Sequence, residues 1–233
     1  MTKNNPQLLI EGRYDSFAGL ISNDIFKIIK ETEGYTDGTQ YIELPYESNG
    51  KDRYYHKSGL GVEVDLRIRR TNDTITHGNK ELPCYINTYI ATDNVLVMEV
   101  TIDETYGREF YEEMFYKINE DVRHELEHYL QDMFDDRQQP NIPNTSDYET
   151  VFSHHMDPSE VEALVQGFYR RAKLEKKPLD VIMIDDLNKD VASGDLTQNE
   201  FNTLLQTWIT YARRRLPHAK FSSPTKRRFS FKK

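Results

Sequence analysis

A chain of 233 residues is long enough for one domain with a buried core, and a 37% hydrophobic content that includes 15 Tyr and 11 Phe implies a small core rather than none. The net charge of −9 hides an asymmetry: from Ala212 onward there are nine Lys or Arg and no acid, leaving 21 basic against 39 acidic residues before it. No apolar run reaches the roughly 18 residues of a membrane span or forms an export signal, and the lone Cys84 excludes an internal disulfide and a cysteine-built metal site, which points to a cytoplasmic protein.

Asp15 and Ser16 are placed to cap a helix through FAGLISNDIFKIIKETE, in which Leu20, Ile21, Ile25, Ile28 and Ile29 recur at helical spacing. From about Gln40 to Asp103 short β-rich runs follow: YIELPY, YYHKSGLGVEVDLRIRR, CYINTYIA and NVLVMEVTID. The last two read as a hairpin about Thr92, Asp93 and Asn94. Cys84 sits in this region as a small apolar strand residue rather than a nucleophile. Helical signals return from Asp103 to Phe134, with a break expected near Lys117 to Glu120. After the loop QQPNIPNTSDYE, DPSEVEALVQGFYRRAK opens a helix with Asp157 as cap, Pro158 at the first helical position and Glu160 as reciprocal partner of a capping box. Helices over about Pro178 to Asn188 and Thr197 to Arg215 follow, the second with a Thr197 to Glu200 capping box.

Chemistry concentrates in VRHELEHYLQD. Val122, Leu126, Tyr129, Leu130 and Met133 form one helical stripe, and His124 and His128 lie on the opposite, polar side with Glu125 at its edge. Histidines at i and i+4 point the same way one turn apart, as two ligands of one tetrahedral zinc must. A glutamate directly after the first can take a proton from a water at that metal without ligating it, so HELEH matches the HExxH pattern. A third ligand is required, with His154, His155, Glu160 and Glu162 as candidates. The capping box accounts for Glu160, whereas Glu162 has no such local explanation and lies beside the apolar stripe of Val161, Leu164, Val165, Phe168 and Ala172. Asp132, one turn after His128, reads as a solvated carboxylate or as support for a ligand.

At HELEH and the later Glu162-Ala163 pair the sequence resembles zinc metallopeptidases of the gluzincin type, in which the distal glutamate lies on a later helix. The resemblance implies His124, His128 and Glu162 as Zn2+ ligands and Glu125 as catalytic base. Gln166 departs from the acidic residue of thermolysin-like members. In members of the lethal-factor kind a tyrosine seven residues before the glutamate stabilises the oxyanion; that position is His155, with His154 beside it and Tyr148 upstream. EGRYDSF and PSEVEALVQGFYRRAK are similar to metallopeptidases of tailed bacteriophages, which implies a host-cytoplasmic or virion-associated protein.

The expectation is therefore an α+β zincin-like domain over residues 1–211, with an α/β part at about 11–135, a mostly antiparallel sheet, and a helical part at about 145–211, followed by a basic tail, 212–233. An edge strand within Cys84 to Ile102 would bind a protein or peptide substrate by strand addition. The tail suits fold-back or a phage or host protein partner; the acidic body and the lack of a base-reading signature argue against nucleic acid, although Phe221, Phe229 and Phe231 would allow stacking. A phage structural or interaction protein keeping the fold and the metal is the alternative.

Overall fold

The computed structural model describes residues 14–33, 38–44, 54–55, 61–77, 80–91, 95–134 and 150–222. The turn at 92–94, Tyr148, Phe229, Phe231 and the side chains of Asp132 and Met133 lie outside the described residues.

Helix α1 (Asp15–Glu31) buries Phe17, Ile21, Ile25 and Ile29 at four-residue intervals, while Leu20 is exposed. Asp15 does not cap it. The position before the helix is Tyr14, without a side-chain cap, and the Asp15 carboxylate instead meets Lys173 and Arg123.

The main sheet contains β1 (Thr39–Leu44), β2 (Tyr54–Tyr55), β3 (Gly61–Thr71), β6 (Cys84–Ala91) and β7 (Val95–Asp103), in the order β1-β3-β7-β6 with β2 also paired to β3. β4 (Ile75–His77) and β5 (Lys80–Leu82) form a separate small ladder. Pairing is antiparallel except between β3 and β7, which run parallel, so the sheet is mixed. The chain leaves β3, forms β6 at the sheet's end and returns as β7 between the two. Of the segment expected to supply an edge, only β6 does so. Burial alternates along β3, whose Val62, Val64, Leu66 and Ile68 join Leu96, Met98, Val100 and Ile102 of β7 on one face. At the end of β6, burial pushes the Cys84 thiol up to about 11 and keeps it protonated.

Helix α2 (Tyr111–Phe134) covers that face with Val122, Leu126, Tyr129 and Leu130. It is continuous through the expected break, because Ile118 is fully buried, Lys117 pairs with Glu120 and Asp121 along the helix, and the Asn119 side chain donates back to Phe115 O. A short helix, α3 (Val151–Met156), was not foreseen; Thr150 and Ser153 cap each other at its start. Helices α4 (Pro158–Glu175), α5 (Leu179–Ser193) and α6 (Gln198–Arg215) enclose a second core around Phe168 and Trp208, and the expected Thr197–Glu200 box opens α6. The segment after α6 stays on this lobe: Leu216 is buried, Leu179 N–H donates to Lys220 O, and the Ser222 amide donates to Asp180 at 2.7 Å. No helix among the described residues is long and apolar enough to cross a membrane.

The two cores meet where α4 lies on α2. Ala163 is fully buried there, and a Cβ added to Gly167 would stand 2.9 Å from the backbone oxygen of Glu120 and 3.5 Å from His124 Cβ. Arg170 donates to Asn119 at 3.0 Å and Arg171 to Glu120 at 3.2 Å across the same seam. Gly167→Ala should therefore cost about 1–3 kcal/mol, as overpacking does. Urea denaturation measures it, and an unchanged midpoint would mean that the helices are not this close.

Candidate metal centre

Glu160 is the carboxylate that reaches the histidine pair, which corrects the expectation of Glu162. The cause lies in the cap of α4. Asp157 accepts from the Ser159 amide at 2.8 Å and from its hydroxyl at 2.5 Å, while the Asp157 amide already donates to His154 O at 3.0 Å. No cap amide is left for Glu160 to accept, so the capping box that explained it away does not form. Glu160 shares the face of Ala163 and Gly167, at i+3 and i+7, which rests on α2. Glu162 lies about 200° round the helix from Glu160, where it accepts from Tyr211 Oη at 2.5 Å. The small residues at 163 and 167 were the signal in the sequence that could have selected Glu160.

His124 Nε2 and His128 Nε2 are 3.1 Å apart. Glu160 Oε1 is 3.2 Å from His128 Nε2, and Oε2 is 3.6 Å from His124 Nε2. Donor atoms bound at zinc's usual 2.0–2.2 Å in a tetrahedron are about 3.3–3.6 Å apart; the two histidines make comparable contacts with different oxygens of Glu160, and one atom from each residue can be chosen with all three within 4.8 Å of one another. Glu160 Oε2 is buried and accepts no hydrogen bond, leaving a lone pair directed into the group without a donor. Among the described residues this is the group of three His, Cys, Asp or Glu side chains that could hold a metal. The donor set of two imidazoles and a carboxylate suits zinc.

Charge is strongly polarised here. Burial works to raise the Glu160 carboxyl, but hydrogen bonds from His128 and His154 overcome it and hold it well below its ordinary value. Burial opposes the charged form of His128 too, yet Glu160 lifts it to about 9; His124 is pulled down to about 3 by burial and then by His128. Burial pushes Glu125 up to about 8, with the Ile90 amide donating to its carboxylate in opposition, and Oε1 lies 3.8 Å from His124 Nε2. A divalent cation among these groups would favour ionised Glu125 and neutral His128.

The site opens on a cleft of about 210 Å³, bordered by Ile86 and Thr88 of β6, by Asp121, His124 and Glu125 of α2, and by His154. His155, expected as oxyanion donor, is not part of it. Neighbours on a helix diverge by about 100°, and only His154 reaches Glu160, at 3.4 Å. His155 turns into the helical lobe, its ring 5.6 Å from that of Trp208 and its Nδ1 3.8 Å from Asp190. Comparisons with protein-family models, curated proteins and solved structures gave no match.

Two outcomes follow for purified protein. Glu160→Gln should abolish stoichiometric zinc uptake and Glu162→Gln should retain it in a metal titration; the reverse pattern would restore Glu162 as ligand. Zinc must also displace a proton from His128, whose value of about 9 lies above neutrality. Apparent affinity should therefore rise about tenfold per pH unit through neutrality up to about 9 and then level off. Calorimetry in buffers of different ionisation enthalpy counts the released proton, and a pH-independent affinity would exclude His128 as a ligand.

Proposed function

We propose that the protein is a zinc-dependent metallopeptidase that hydrolyses peptide bonds, with His124, His128 and Glu160 holding the metal. The observation that carries this reading is the convergence of two imidazoles and the Glu160 carboxylate, with one donor atom of each within 4.8 Å of the others and Glu160 Oε2 buried without a donor, beside a further glutamate, Glu125, outside the set. When bound, the metal would supply Lewis-acid polarisation of a carbonyl and activation of a water.

The protein's own groups have separable tasks. Glu125, whose Oε1 lies 3.8 Å from His124 Nε2, accepts the proton of the attacking water and returns it to the leaving amine. His154, the member of its pair that faces the cleft, takes the place assigned to His155 as donor to the developing oxyanion. Alternate residues of an edge strand direct backbone groups outward on the same side, so Ile86 and Thr88 can pair with an extended peptide along β6.

A second reading, a protein that holds the metal and binds a partner without cutting it, draws on the size of the cleft. Its volume of about 210 Å³ falls below the roughly 300 Å³ at which ordinary ligand pockets begin. Metal analysis and digestion of a denatured protein separate the two. The enzyme should contain one zinc and cut in a chelator-sensitive manner, and Glu125→Gln should keep the zinc while losing at least about 100-fold in rate. Zinc without cleavage in the wild type supports the second reading, and full activity in Glu125→Gln removes Glu125 from the mechanism.

A further inference from the structure

We propose that Gln131 is the positioning residue of the centre, fixing which nitrogen of His128 faces the ion and holding the start of α4 in register with α2. The inference rests on the metal-binding reading above. Gln131 is one turn beyond His128, and its amide spans the seam: Oε1 is 3.1 Å from His128 Nδ1, and Nε2 donates to Ser159 O at 3.1 Å.

The two ends determine each other. A backbone carbonyl can only accept, so the Ser159 end must receive the NH2 group, and turning the amide round would set two acceptors face to face. The amide oxygen then faces His128, and it too can only accept, so Nδ1 must carry a proton. In the neutral ring the lone pair is confined to Nε2, the atom 3.1 Å from His124 Nε2 and 3.2 Å from Glu160. Ser159 directly precedes Glu160, so the same amide that orients one ligand anchors the turn bearing another. The chain of contacts runs from His128 through Gln131 and Ser159 to Glu160 and returns to His128, a closed ring joining both helices. Such outer support commonly changes metal affinity about 10–100-fold.

The test uses Gln131→Met, close in size but unable to make either bond, and Gln131→Glu, whose carboxylate still accepts from Nδ1–H but cannot donate to Ser159. Zinc affinity is measured by competition with a chromogenic chelator, and the His128 Nδ1 proton is observed by nitrogen-edited NMR in the metal-free protein above the His128 value of about 9, where the ring is neutral and only one nitrogen carries a proton. Gln131→Met should weaken zinc by about 10–100-fold and lose the Nδ1 proton; Gln131→Glu should keep that proton and recover only part of the affinity, because its second oxygen faces the Ser159 carbonyl. Wild-type affinity in Gln131→Met, or loss of the Nδ1 proton in Gln131→Glu, would overturn the proposal. If the wild type takes up no zinc the metal reading falls, and the Nδ1 proton still decides the tautomer assignment: loss in Met with retention in Glu upholds it, and absence from the wild type overturns it.

Discussion

The close approach of α4 to α2 is the contact on which the rest of the centre depends. Helix axes separate by the size of the side chains between them, and at this crossing those are Ala163 and a glycine whose missing Cβ would meet the Glu120 carbonyl. A larger residue at either place would press the helices apart and disturb the reach of Glu160 to the histidines. The buried ion pair Arg171–Glu120 and the part-buried hydrogen bond from Arg170 to Asn119 flank the crossing. Their main contribution is to geometry, since the desolvation of buried ions offsets much of their attraction.

The electrostatics of the centre follow from partial burial, which leaves little solvent to share the charge. Two imidazoles and a carboxylate packed within 4.8 Å of one another are not a hydrophobic solution to helix packing. In metal-free protein the conflict is met by dividing the histidines, one drawn to the charged form by Glu160 and the other held neutral. A cation removes the need for that division, because all three groups can then present lone pairs to one centre.

Much of this was legible in the sequence because local periodicity carries it. The helical stripe of Val122, Leu126, Tyr129 and Leu130, the alternation along β3 and the Thr197–Glu200 box are patterns over a few residues, and each describes a local backbone state. HELEH was legible for the same reason: one turn of helix brings its histidines together. Glu160 was not, because the choice between two glutamates on one helix depends on which face meets α2 and on the His154 carbonyl claiming the Asp157 amide. Likewise, whether His154 or His155 faces the cleft depends on how α3 docks against Trp208, a contact 53 residues away in the chain. The parallel β3–β7 pair is a matter of topology that alternation alone does not encode.

The donors also belong to different packing units. Val122, Leu126 and Leu130 of α2 bind it into the sheet core, whereas Val161, Val165 and Phe168 bind α4 into the helical lobe. An ion between them would be a cross-link at the boundary of two cores, contributing to the cohesion of neither and to the cooperativity of both. Parts of a protein can open separately when few interactions join them, and a ligand held only by the assembled form adds its binding free energy to the assembled form alone. Contacts between α2 and α4 already join sheet and helical lobe, so occupancy of the centre would add to that coupling, and the cooperativity with which the two cores melt would rise with the available metal concentration.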